Sequence, residues 1–211
     1  MSEPSGDIAA KAVKVKKDYI DAQSAAFFTR MDQPGAKFDA DSMRYVVHFL
    51  HEPGLDGPKN ALLLVRGIHV SPQYRDIAAA IIEDKCIRAP SDDKAIWLFT
   101  LADVFDLPSS ASEDTAKAFR QLDRIRAKNK LDEEAEEFAE NRLNNLDFSP
   151  KLSALIILVK ACEFGGEDAE WALDMIDRQS DGSNGSERRF WIGVKGSVTG
   201  ELVYPSRPPG G

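Results

Sequence analysis

The sequence has few of the residues from which catalytic and metal sites are usually built. Its 211 residues include only two cysteines, Cys86 and Cys162, and three histidines. The cysteines have apolar neighbours and form no CxxC pair, so we expect buried free thiols in a reducing compartment. No GxSxG, SxxK or glycine-rich phosphate loop occurs, and these absences leave no recognisable nucleophile or phosphate-binding motif.

Long apolar runs are also lacking. The longest, 61–65 and 154–159, are far shorter than the roughly 20 residues that a membrane-spanning helix requires. Residues 1–10 lack the apolar core and small-residue cleavage site of a secretory signal. The formal net charge of -8 creates an average field that repels nucleic acid and anionic lipid. We therefore expect a cytoplasmic protein that does not bind membranes and for which nucleic acid is an unfavourable partner.

What the sequence does contain is apolar residues at helical spacing, which predict an all-α fold. Proline at the first helical position predicts helix starts at Gly57-Pro58, Ser71-Pro72 and Ser149-Pro150. A capping box of Ser110 and Glu113 precedes another amphipathic helix, whose apolar face we take to be Thr115, Ala118, Phe119, Leu122 and Ile125. These signals predict a helical domain over 1–179, with a first hairpin at 7–52 and repeated helices at 58–179.

The predicted helices fall into two classes by the distribution of their apolar residues. Those that are apolar on nearly every side should lie inside the domain, and those with one apolar stripe should lie outside. The inner class is 59–68, 94–105 and 151–164, and the outer class is 73–87, 112–127, 131–146 and 168–178. Residues 62–70 also match 156–164 without gaps. Packed helical hairpins of this kind suit either an α-solenoid or a multi-helix bundle.

The C-terminal part differs in character from the rest. Residues 180–187 are rich in serine, glycine and aspartate and predict a flexible linker. We expect 188–211 to be a non-helical tail, in which 190–204 forms a short β-hairpin around Gly196 or stays extended.

Two groups of side chains are candidate sites. Arg188, Arg189, Phe190 and Trp191 combine the residue types that dominate protein-protein hot spots, so the tail could contact a partner or fold back as a lid on the helices. His48 and His51 are three residues apart on a predicted helix and could share one face as metal ligands.

The function that these features favour is a non-enzymatic protein-interaction module, which would be an adaptor, a regulator or an inhibitor-like protein. It would bind another protein, possibly a basic one, through a helical face or the C-terminal tail, and it would need no cofactor. One alternative is a metal-dependent all-α enzyme that uses His48, His51 and the carboxylates of 132–140. A second alternative is a structural subunit of a larger assembly.

Overall fold

The computed structural model describes residues 22–51, 57–108 and 113–203. All regular structure in these ranges is helical, which confirms the all-α prediction. The chain divides into two compact units, Met1–Gln73 and Tyr74–Gly211. The predicted domain end at residue 179 instead falls inside a helix. Across the described ranges, no helix has both the length and the apolar character needed to cross a bilayer.

The first unit contains three described helices. Helix α1 is described over 22–31, α2 spans Ala40–His51, and α3 spans Gly57–Val70. The second unit contains seven, which are α4 (Arg75–Arg88), α5 (Ser91–Val104), α6 (Glu113–Lys128), α7 (Glu133–Leu143), α8 (Phe148–Phe164), α9 (Gly166–Gly182) and α10 (Gly185–Thr199). A single 3₁₀ turn, Pro72–Tyr74, precedes α4. Residues 7–21 of the predicted first hairpin lie outside the described residues.

Phe38, which precedes α2, organises the core of the first unit. Its ring is 1% exposed and meets the ring of Phe27 edge to face, with centroids 6.1 Å apart. Its backbone N–H donates to Oγ of Ser71, 3.4 Å away. Helix α2 packs against α3, and Gly67 of α3 lies directly beneath the Phe38 ring. A glycine is needed there because any Cβ would overlap the ring.

Asp39 sets the start of α2. Its Oδ1 accepts the backbone N–H of Ser42 at 2.8 Å, which is the hydrogen bond that an N-cap residue makes to the first turn. That hydrogen bond, together with one from the Ser42 hydroxyl, lowers the pKa of the Asp39 carboxyl below its usual 3.8. The ionised cap also suits the positive end of the helix dipole.

Helix α8 is the centre of the second unit, where α5, α6, α7 and α9 all pack against it. Its buried residues are Phe148, the continuous stretch 152–159 and Ala161. The surrounding helices bury narrower stripes, such as Ala118, Leu122 and Ile125 on α6, or Ala172, Met175 and Ile176 on α9. An apolar sequence on every side is what a helix with neighbours all round requires.

The predicted β-hairpin at 190–204 is wrong, because Gly185–Thr199 forms helix α10. Its buried face includes Phe190, Trp191, Val194 and Ser197, whose spacing is helical. Aromatic and β-branched residues next to Gly193 and Gly196 imitate a strand and turn signal, but these glycines lie within the packed helix. Burial of the aromatic face outweighs the low intrinsic helix propensity of the segment.

The predicted flexible linker at 180–187 is likewise wrong for most of its length. Helix α9 continues to Gly182, and α10 begins at Gly185, so that only Ser183 and Asn184 connect them. Gly185 has a φ of +52°, which a residue with a side chain rarely adopts, and it permits the sharp change of direction. The tail predicted as non-helical over 188–211 is helical to Thr199, and 204–211 lies outside the described residues.

We expect Gly67→Ala to destabilise the first unit by about 1–3 kcal/mol, because the new methyl group must displace the buried Phe38 ring. The higher helix propensity of alanine offsets part of this loss. Urea unfolding followed by far-ultraviolet circular dichroism measures the effect. Gly182→Ala is the matched control, since its methyl group would meet no atom within 4 Å. Equal stability of the two variants would contradict this packing.

Candidate functional site

The histidines proposed as metal ligands lie in the first unit. His48 is exposed on α2 and His69 is exposed near the end of α3. His51 is the last residue of α2, and its side chain lies outside the described residues. No group of three histidine, cysteine, aspartate or glutamate side chains arranged to hold a metal occurs among the described residues. Paired coordination by His48 and His51 therefore stays a prediction.

Two carboxylates of 132–140, those of Asp132 and Glu134, make structural contacts at the start of α7. Asp132 is its N-cap, accepts the backbone N–H of Ala135 at 3.0 Å, and pairs with Arg124 at 2.6 Å and Lys128 at 2.7 Å. Partial burial raises the pKa of Asp132, but the hydrogen bonds from Lys128, Ala135 and Arg124 outweigh it and the net pKa is lowered. Glu134 also pairs with Arg124, and this contact lowers its pKa.

The four residues proposed for partner contact are divided by their position on α10. Phe190 and Trp191 are fully buried, and the Phe190 ring meets those of Phe148 and Trp191 edge to face with centroids 5.2 Å away. Arg189 pairs with Asp76 of α4, and its guanidinium carbon lies 5.0 Å from the centre of the Phe105 ring. Arg188 alone is exposed. Phe190 and Trp191 thus pack on the helical core. The sequence offered this as the alternative in which the tail folds back as a lid, but the two residues belong to a helix.

Both cysteines are poorly suited to act as nucleophiles. Burial raises the pKa of the Cys86 thiol to about 11 and that of the Cys162 thiol to about 11. Cys86 donates to the carbonyl oxygen of Lys94 at 3.6 Å. Because the thiolate is the reactive form, a raised pKa suppresses nucleophilic reactivity near neutral pH.

One cavity of about 420 Å³ lies between α1 and α2. Its walls include the stacked rings of Phe27 and Tyr45, with Tyr45 donating to Oε1 of Gln23 at 3.1 Å. Arg30 lies over the Phe27 ring and donates to Oγ of Ser42 at 3.1 Å. The cavity volume of about 420 Å³ is suitable for a small molecule. However, Arg30 and the carboxylate of Asp39 line the same space, so the charge of the cavity selects no one ligand class.

The second unit carries a shallow groove, whose floor is α8 and whose sides are α5 and α6. We call it the α5/α6 groove. Its free volume of about 10 Å³ is close to that of one water molecule, so it cannot enclose a ligand. Its lining is mainly apolar and comprises Ala95, Phe119, Leu122, Arg126, Ile156, Val159 and Lys160. At its edge the Phe119 side chain is 45% exposed, and Ile96, next to Ala95, is 43% exposed.

Phe119 is predicted from the sequence to lie on the core-facing stripe of α6, but in the structure it lies at the surface. The buried residues of α6 are Ala118, Leu122 and Ile125, and Phe119 lies one position off that stripe. A rotation of about 100° per residue is enough to move it from the core to the side of the helix. The sequence gives no signal for this exposure, because an apolar residue at position 119 fits the helical spacing of the stripe.

The comparisons with known proteins add no relative. No protein-family model, no curated protein and no solved structure matches this chain. Inference about function therefore depends on the surfaces themselves.

We expect Phe190→Ala to lower the free energy of unfolding of the second unit by about 3–5 kcal/mol, because it leaves a cavity beside Phe148 and Trp191. Urea unfolding followed by tryptophan fluorescence measures this change. Arg188→Ala removes an exposed neighbour and should change stability by less than about 0.5 kcal/mol. A Phe190→Ala variant as stable as the wild type would show that this ring is not part of the core.

We expect both thiols to react slowly with alkylating reagents in the native protein. A pKa of about 11 instead of 9.0 lowers the thiolate fraction about a hundredfold at any pH well below both values. Mass spectrometry of the time course for the wild type, Cys86→Ser and Cys162→Ser assigns a rate to each thiol. The urea-unfolded chain provides the reference rate. Reaction of native Cys86 as fast as in urea would contradict its burial, and the same result for the partly buried Cys162 would contradict its raised pKa.

Proposed function

We propose that this chain is a non-enzymatic protein-interaction module, an adaptor, regulator or inhibitor-like protein, that binds a protein partner through the α5/α6 groove. The observation that carries the proposal is the exposure of Phe119 at the edge of an apolar groove. An aromatic ring left 45% exposed beside apolar neighbours loses little conformational freedom on binding and offers a large contact area.

The shape of the groove suits a helix or loop of a partner better than a small molecule. Its floor residues Ile156 and Val159 are buried, while Phe119 in its side is 45% exposed. A partner that lays an apolar side chain into the groove would cover the exposed Phe119 ring. Such packing of apolar side chains into a groove between helices is a common mode of peptide recognition.

Charge within the groove is largely compensated. Lys160 pairs with Glu163 at 2.8 Å, and Arg126 lies 3.8 Å from Asp123. The net charge of -8 therefore acts mainly at longer range, where it favours the approach of a basic partner. We place this interaction in the cytoplasm, and the free thiols of Cys86 and Cys162 support a reducing compartment.

The groove replaces the C-terminal aromatic residues, which the sequence predicted as the partner contact. Phe190 and Trp191 are fully buried, and exposing them would require α10 to leave the core. Phe119 needs no rearrangement, because it is exposed in the folded unit. Binding through preformed surface features is the usual behaviour of pre-organised complexes.

We expect Phe119→Ser to abolish capture of the specific partner while the fold is retained. Quantitative affinity capture should compare the wild type, Phe119→Ser and Leu146→Ser, followed by calorimetry with the purified candidate partner. Leu146 is a matched control because it is fully exposed in the loop between α7 and α8, outside the groove. Loss of a groove hot spot raises Kd by about thirtyfold or more.

Comparing partner binding by the wild type and the two variants tests whether the groove is the contact surface. A partner bound by the wild type and by Leu146→Ser but not by Phe119→Ser supports the groove. If Phe119→Ser binds every captured protein as tightly as the wild type does, the α5/α6 groove is not the contact surface. Circular dichroism of each variant establishes that a loss of binding is not a loss of fold.

A further inference from the structure

Helix α10 ends in a reversal of the chain. Gly200 adopts the left-handed conformation, with φ +82°, and its N–H and that of Glu201 both donate to the carbonyl of Gly196 at 2.9 Å. Two hydrogen bonds to one carbonyl in the last turn are typical of a helix that ends at a glycine. Residues 200–203, which we call the C-terminal strap, therefore turn back from the helix end toward Gly196.

The strap reaches Glu83, a completely buried residue of α4. Both carboxylate oxygens of Glu83 accept the backbone N–H of Val203, each at 3.1 Å. Hydrogen bonds to a carboxylate are stronger than those between neutral groups, and a buried carboxylate requires them. A side chain from the middle of the second unit thus holds the main chain of the last described residue.

Gly196 provides the space in which the strap approaches. A Cβ at this position would overlap Oε1 of Glu83, the carbonyl oxygen of Glu201 and a methyl group of Val203. Because three separate groups converge on the missing side chain, glycine here is explained by the close approach and not by backbone conformation. Glu83 and Gly196 together form a slot that accepts a main chain.

The side chains of the strap are only partly buried. Leu202 is 52% exposed and Val203 is 44% exposed, so neither is anchored in a core. The specific contact is the N–H of Val203, which every amino acid except proline supplies. We therefore expect the slot to recognise the backbone and to tolerate changes of side chain.

The slot has support that does not come from the strap. Nζ of Lys94 donates to the carbonyl of Ile87 on α4 at 3.2 Å and to that of Ser197 on α10 at 3.5 Å. This ammonium links the two helices that carry Glu83 and Gly196. Neither of these hydrogen bonds involves a residue of the strap.

We propose that the C-terminal strap is a releasable latch, which closes by placing the N–H of Val203 on Glu83 beside Gly196 and opens without unfolding α10. Opening uncovers the Glu83 carboxylate and frees Leu202 and Val203 in a single step. The inference does not rest on the α5/α6 groove, since Glu83, Gly196 and Val203 are not among its lining residues.

Two substitutions of one residue test the latch in the full chain. Val203→Pro removes the N–H that Glu83 accepts, whereas Val203→Ala keeps it and only shortens the side chain. We expect hydrogen exchange at the Glu201 amide to become about tenfold to a hundredfold faster in Val203→Pro, because a hydrogen bond to a charged group is lost. Val203→Ala should stay within about threefold of the wild type. Equal acceleration in both variants would show that side-chain packing holds the strap, and would overturn the proposal.

A substitution in the slot tests the latch from the opposite side. Gly196→Ala should displace the strap and accelerate exchange at Glu201 to the same degree as Val203→Pro, while Gly182→Ala should not. Alanine favours a helix over glycine, so protection of the α10 amides should be kept. Unchanged exchange at Glu201 in Gly196→Ala, or loss of protection throughout α10, would contradict a strap that opens by itself.

Discussion

Helix α8 is buried continuously over 152–159, and the architecture of the second unit follows from this constraint. Four helices pack against it, so its sequence must be apolar on every side, while each neighbour needs only one apolar stripe. Burial at about 25 cal/mol per Å² of apolar surface makes such a central helix the main source of stability for its unit. Because α5 and α6 both lean on α8 and make little contact with each other, an apolar groove remains between them.

Polar groups within the core determine how the C-terminal helix closes this unit. Glu83, Lys94 and Ser197 lie where α4, α5 and α10 meet. Glu83 accepts the backbone N–H of Val203, and Lys94 donates to the backbone carbonyl of Ser197. Phe190 and Trp191 supply the apolar part of the same interface. A buried carboxylate is costly unless it is hydrogen-bonded. The N–H of Val203 in the strap supplies this hydrogen bond to Glu83 and explains why a carboxylate lies here. An interface made only of apolar side chains would not fix the direction of the strap.

The sequence predicts most of the helices because local signals and packing agree there. Proline near the helix starts and an apolar run at 151–164 indicate α3 and α8 without reference to tertiary structure. Helix α10 was missed because two glycines and β-branched residues resemble a hairpin, whereas burial against α9, α4 and α5 makes the segment helical. Glu83 and Phe119 could not be recognised as special, since a carboxylate in a helix or an aromatic residue near a stripe is ordinary until its neighbours are known.

Native-state hydrogen exchange along the second unit tests most directly whether α10 belongs to the core organised around α8. The structure predicts that the amides of Phe190, Trp191 and Val194 are about as protected as those of 154–158, because both helices are buried in the same unit. Exchange of the α10 amides at the rates of an unprotected chain, while α8 stays protected, would contradict the account.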